Sequence, residues 1–456
     1  MSQHDLYLLA VAVIVILAVV FAIARLRVHP FPALVVGSLT LGLLAGAPAD
    51  QVLKSFHVGF GDTLANVGVL LALGAMFGEL LASSGGAERV SSALLQVGGT
   101  RAVPWTMLAV SMILGLPLFF EAGVVLMMPI ILNVGNRLAS DPGGLKGNPY
   151  LLAGLPVFAG ISVLHALVPP HPGPMIAIDA MKADLGTTLI LGLLMSIPIA
   201  VVAGPLYTYW IAPRATSAPP ADLVGRLTQQ DDKFRSPTIS TTILTILFPI
   251  LLMLGKAAAD LALPAGHPGR VLFEFAGNPI VALLLAVILS TFTFGFFLGK
   301  DTRTVGKLLG DALPPISGIM LIIGAGGALK QTLIDVGLGA IIAQSSQMVH
   351  LSPLLLGWFT AVILRLATGS ATVAIVTASG LMAATVTVNP DLNPALMALS
   401  IGAGSLFFSH INDAGFWLVK EYMGMNLPNM FKTWSVLETI IAVMGLFLCL
   451  GLSLVM

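Results

Sequence analysis

Of the 456 residues, 57% are hydrophobic and only 9% are charged, whereas a water-soluble domain carries roughly a quarter charged residues. Lys plus Arg and Asp plus Glu both number 21, so the formal net charge is zero. With no basic tail or stripe, nucleic-acid binding has no support. Cys449 is the only cysteine, which excludes an intrachain disulfide and a cysteine metal site.

Apolar runs long enough to cross a bilayer recur from end to end. In chain order the expected crossings are about 5–24, 30–47, 58–84, 150–183, 186–211, 237–256, 276–298, 314–336, 394–423 and 432–455. The first run follows Asp5 without a basic stretch, so it is expected to be a retained helix rather than a signal peptide. Segments 150–183 and 394–423 are too long for one straight helix and are expected to be broken. Stretches 103–136 and 352–388 are expected to be helical hairpins that enter and leave on one side. The expected fold is therefore an all-α polytopic membrane protein with two re-entrant hairpins and two broken helices.

Basic residues set the expected orientation. With the N-terminus outside, fifteen of the Lys and Arg residues fall on the cytoplasmic side and five on the other, with Arg365 inside the second hairpin. The halves also echo each other. Gly61-Asp62 matches Gly310-Asp311, Gly68 matches Gly318, and Gly74-Ala75 matches Gly324-Ala325. Pro32 and Pro279 open matching helices, and Pro149 precedes His165 by the same interval as Pro394 precedes His410. The expected orientation makes these repeats inverted. Inverted repeats with paired broken helices are a mark of secondary transporters, with the substrate near the midplane. The expected division is an N-terminal helix (1–29), a first repeat (30–211), a cytoplasmic loop (212–236), a linking helix with an external loop (237–275) and a second repeat (276–456). Helices within 30–84 and 276–336 are expected to form a scaffold, against which the hairpins and broken helices move.

Four polar clusters interrupt the apolar runs. In "GLPLFFEAG" (115–123), Gly115 and Pro117 break the helix and Glu121 follows at membrane depth. A carboxylate there costs about 2.5–3.5 kcal/mol on insertion scales and by default faces a cavity. Glu121 reads as a protonatable group at a hairpin tip, or as a hydrogen-bonded brace. In "HALVPPHPGP" (165–174), four prolines and a glycine stop the helix, because each proline removes a donor and clashes one turn back. His165 and His171 flank that break and suit a proton path or an anion contact, the alternative being two structurally satisfied histidines.

In "RLATGSATVA" (365–374), the turn formed by Thr368, Gly369, Ser370, Ala371 and Thr372 precedes a helix whose free amides can hold a carboxylate. Small residues also serve tight packing. Arg365 is either a partner of a buried carboxylate or a residue that snorkels to the interface. In "SHINDAGFW" (409–417), Ser409, His410, Asn412 and Asp413 make a polar patch at the break of the second long segment. A solvated loop is the alternative. Glu121, His165, His171 and Asp413 are the candidates for proton coupling, although a Gly/Ser/Thr/Asn tip also suits sodium. No phosphate-binding loop, hydrolase elbow or metal-ligand spacing occurs. No cofactor is expected, and any uphill transport would draw on an ion gradient.

These four stretches resemble the signature segments of the gluconate permease family, the gluconate:H+ symporters of the ion transporter superfamily, and they do so in order over nearly the whole chain. The resemblance implies proton-coupled symport of gluconate or a related sugar acid across the bacterial inner membrane by an inverted-repeat protein, often a homodimer. By motif it points to Glu121, His165, His171, Gly369, Ser370, Ala371, Thr372, His410, Asn412 and Asp413 as substrate-binding residues. The family also includes carriers of other hexonates and of D-serine. A different small carboxylate or sodium coupling is therefore the alternative, ahead of a passive anion channel.

Overall fold

The computed structural model describes residues 2–87, 89–90, 92–93, 99–116, 118, 120–140, 144–220, 236–264, 266–337, 352–389, 391–411 and 413–456. Among these residues the regular structure is entirely helical, and eight helices are long and apolar enough to cross a membrane. A bilayer offers no water to free backbone groups, so a single spanning segment must satisfy its own amides by forming a helix.

The first half contains α1 (Gln3–Ala24), α2 (Pro30–Leu44), α3 (Ala49–Thr63) and α4 (Val69–Ala82). A hairpin of α5 (Val103–Leu114) and α6 (Phe120–Ser140) follows, then the broken pair α7 (Pro149–Leu167) and α8 (Pro172–Met181). The half ends in α9 (Leu185–Val201) and the short α10 (Tyr207–Ile211). The helix α11 (Ile239–Ala262) and the short α12 (Pro268–Ala276) lead to the second half.

There the order returns. It consists of α13 (Pro279–Ser290), α14 (Thr302–Asp311), α15 (Pro314–Asp335), the hairpin α16 (Pro353–Thr368) and α17 (Ala371–Val388), and the broken pair α18 (Pro394–Gly404) and α19 (Ala414–Met423). Two closing helices are α20 (Leu427–Met430) and α21 (Val436–Leu452). The hairpins and broken helices fall where the proline and glycine clusters place them.

Several boundaries differ from the sequence expectation. The helix expected from 58 begins at Ala49, with Pro48 at its cap position and Asp50 in its first turn, where a carboxylate complements the helix dipole. Residues 49–57 are too polar to register as a span. A π-helical turn over Leu64–Gly68 joins α3 to α4. The matching position of the second half carries a break between α14 and α15. The segment expected over 276–298 is preceded by a separate short helix, α12, and continues through a π-helical turn over Thr291–Gly295. The linking helix expected to end at 256 runs to Ala262.

Broken helices form the centre of the molecule. Residues 151–164 of α7 are all buried. Both arms of the first hairpin pack on α7, helped by Gly160, where a Cβ would collide with Ser111 of α5. The arms of the second hairpin pack on each other, and α16 and α17 lie against α18 and α8 respectively. This arrangement brings the break after α7, the tip between α16 and α17, and the break before α19 to one place.

Candidate functional site

A cavity of about 210 Å3 lies at that meeting point. The second hairpin tip supplies Thr368, Gly369, Ser370, Ala371 and Thr372, and α16 supplies Arg365. The broken helices supply Ser162, His165, Asp413, Ala414 and Gly415, while Phe120, Leu406, Trp434 and Glu438 complete the wall.

The tip has a simple local cause. Gly369 ends α16 in the left-handed region with φ of 75°, where a Cβ would be strained. Ser370 then caps α17, its Oγ accepting the Val373 amide at 3.3 Å. The amides of Ala371 and Thr372 precede the first intrahelical bond, so they are free to serve an anion. At the other break Asp413 caps α19, its Oδ1 accepting the Gly415 amide at 2.9 Å. Two helix N-termini therefore face one cavity.

Arg365 joins them. Its side chain is 4% exposed, and its Nη1 donates to the Gly369 carbonyl at 2.5 Å. Its Nη2 donates to Asp413 Oδ2. Of the two readings open in the sequence, the charge partner is correct and the snorkelling residue is not. Ser409 also donates to Asp413 Oδ2, and Trp434 Nε1 donates to Ser409 Oγ at 2.7 Å. Ser435 donates to the Ser409 carbonyl. A π-helical turn over Phe431–Ser435 brings Trp434 and Ser435 to these partners. Such turns are frequent at functional sites.

The histidines separate. His165 lines the cavity, and its Nδ1 is buried without a hydrogen-bond partner. His171 is 2% exposed, sits behind His165 with ring centroids 5.9 Å apart, and leaves Nε2 unpartnered. His410 is placed off the cavity wall, its Nε2 donating to the Leu366 carbonyl at 3.2 Å. There it ties the second break to α16. Gly369, Ser370, Ala371, Thr372 and Asp413 come together as the sequence anticipates. Asn412 lies outside the described residues, as does the side chain of Glu121, whose neighbour Phe120 is on the cavity wall.

Sequence reasoning missed Glu438. It is 1% exposed, lines the cavity, hydrogen-bonds to Ser162, and leaves Oε1 without a partner. The signal was available, since a carboxylate inside the last apolar run is functional by the same default as Glu121. Outside the cavity, Lys330 of α15 pairs with Asp179 of α8 at 3.1 Å. The Lys330 ammonium turns into the protein, and the side chain is 12% exposed.

The chain is similar over its full length to permeases of sugar acids. It is 42% identical to a gluconate permease of Pseudomonas aeruginosa, covering 100% of this chain and 99% of that protein. Identity is 38% to a high-affinity gluconate transporter of Escherichia coli, covering 98% and 99%. It is 37% to an L-idonate transporter of the same organism, covering 98% of each. The crystal structure of the YdaH transporter of Alcanivorax borkumensis shares the fold, with a TM-score of 0.67 over 94% of this chain and 99% of that one at 14% identity. The GntP family permease profile spans residues 6–455. The chain thus belongs to the GntP permease family, as a multi-pass transport protein of the bacterial inner membrane rather than an enzyme.

Proposed function

We propose that the protein carries gluconate or a closely related sugar acid into the cell in symport with protons. The observation that supports this most is the convergence of the α17 and α19 N-termini with buried Arg365 on one cavity. In that reading the free amides of Ala371 and Thr372 receive the substrate carboxylate, and Arg365 adds attraction. Ser162, Thr368 and Thr372 serve the sugar hydroxyls. The names of the relatives, for gluconate and for L-idonate, favour a hexonate. Buried ionisable groups on the wall, among them Asp413 and His165, favour protons as the coupling ion. The hairpins and broken helices move together in this proposal, against α2–α4 and α13–α15, exposing the cavity to each side in turn.

The test is uptake of labelled gluconate into proteoliposomes under an imposed inward proton gradient, with and without an uncoupler. Accumulation abolished by the uncoupler is expected. Uptake that only equilibrates would leave a passive channel. Accumulation that follows a sodium gradient would replace the ion, and stronger competition by D-serine than by L-idonate would replace the substrate class.

A further inference from the structure

Glu438 stands on α21, a helix that the sequence reads as an ordinary final span. Its carboxyl is almost fully buried and lines the cavity, with Oε1 lacking any hydrogen-bond partner. An unpaired carboxylate at such depth is among the costliest groups a membrane protein can hold, unless it carries a proton or meets a cation. The nearby cation is Arg365, whose Nη2 and Nη1 are already engaged by Asp413 and the Gly369 carbonyl. Glu438 therefore shares a cavity wall with a cation already committed to another carboxylate.

We propose that Glu438 is the residue whose protonation accompanies substrate binding. This rests on the proton-symport reading above and names the group that would perform it. The argument is one of charge. With Glu438 ionised, the described residues of the wall set one cation, Arg365, against Asp413 and Glu438. A substrate carboxylate adds a second uncompensated negative charge within the same small volume. With Glu438 protonated, the Arg365–Asp413 pair is neutral and the substrate meets only the helix N-termini and the guanidinium. Like charges that share a site disfavour joint ionisation, so proton and substrate each raise the affinity for the other by the same factor. The proton also turns Oε1 or Oε2 into a donor, which a sugar hydroxyl accepts.

Among the described carboxylates on the elements around α21, no other fills this place. The helix α18 carries none over Pro394–Gly404, and α16 presents Arg365. From α7, His165 faces the cavity, with His171 behind it on the α8 cap. The π-helical turn after α9 leads to Tyr207, whose hydroxyl donates to the Lys432 carbonyl. Asp413 is held by Arg365, Ser409 and the Gly415 amide. Among the described residues of this wall, Glu438 is the carboxylate with an oxygen left over.

The experiment compares wild type with Glu438→Gln, which keeps the shape and removes the titration. Gluconate affinity is measured in purified protein between pH 6 and pH 8, alongside accumulation and gradient-free exchange in proteoliposomes. In wild type, affinity falls as pH rises, by up to about tenfold per unit for one linked proton. The variant is expected to lose most of that slope, and to lose at least tenfold more of its accumulation than of its gradient-free exchange. Wild-type-like accumulation and pH slope in the variant would overturn the proposal. Loss of exchange together with affinity in a variant that remains monodisperse would also overturn it, leaving Glu438 as a structural or binding group. If Glu438→Gln fails to purify, Glu438→Asp replaces it. There a retained pH slope with altered accumulation supports the proposal, and an absent slope with intact accumulation overturns it. Absence of uncoupler-sensitive accumulation in wild type instead removes the proton-symport reading on which the proposal stands.

Discussion

Asp413 shows how much a single buried group can decide. It caps α19, receives Ser409 and neutralises Arg365, whose side chain has 4% exposure. Removing one partner of a buried ion pair leaves the other charge uncompensated and costs about 3–5 kcal/mol. Asp413→Asn keeps the cap and removes the charge, so its main effect falls on Arg365. We predict a lower thermal midpoint in detergent, by several degrees, and a larger upward shift on adding gluconate than wild type shows, because the substrate carboxylate then takes up the free guanidinium. A ligand shift smaller than the wild-type one would mean that Asp413 contacts the substrate in another way. The sequence singled out Asp413 and the Ser370 tip, which the fold brings to one cavity, because polar residues in apolar runs are self-evident. It left Arg365 undecided because burial depends on which helices close over it. Glu438 went unnoticed because a lone carboxylate in a long apolar helix carries no local break to draw attention.

Helix contacts depend on glycine where no side chain fits. The helix α15 packs across α3 and α17. A Cβ on Gly327 would collide with Thr63 and the Gly59 carbonyl, and one on Gly326 would overlap Val376. Small residues at such crossings let backbones approach closely, which is how membrane helices gain packing contacts without a hydrophobic driving force between them. Gly327→Val is predicted to abolish stable purification or lower the thermal midpoint by ten degrees or more. Gly306 of α14 makes the contrast, since its added Cβ meets nothing within 4 Å. Gly306→Ala is predicted to be neutral or to add up to about 1 kcal/mol through helix propensity. Equal effects of the two would show that packing at α15 is looser than the geometry implies. At this scale the helices, their order and their proline-marked breaks were legible, because hydropathy and helix breakers are local. The π-helical turns and the polar start of α3 were not, since a shift in backbone hydrogen bonding or an amphipathic entry leaves no distinct composition.

Transport requires that one part of the molecule move relative to another, and the Lys330–Asp179 pair lies across the proposed boundary. Lys330 belongs to α15, assigned to the scaffold, and Asp179 to α8, the second half of a broken helix assigned to the moving part. Both side chains are largely shielded, with 12% and 14% exposure, so their attraction is less screened than that of a surface pair. If the proposed partition is right, this contact is made in one state and lost in the other, and a covalent link across it must arrest the cycle. Cys449, the chain's only native cysteine, is fully buried and therefore poorly reactive, so the background needs little change. Cysteines at 179 and 330, joined by a short reducible bifunctional reagent, are predicted to stop gluconate exchange by more than tenfold, with reduction restoring it. The singly substituted proteins treated with the same reagent control for loss of the charges themselves. Exchange that continues at the unlinked rate after complete crosslinking would place α8 and α15 in one rigid body. The moving boundary would then have to be sought between α7 and the first hairpin, or between α21 and the elements that carry Arg365 and Asp413.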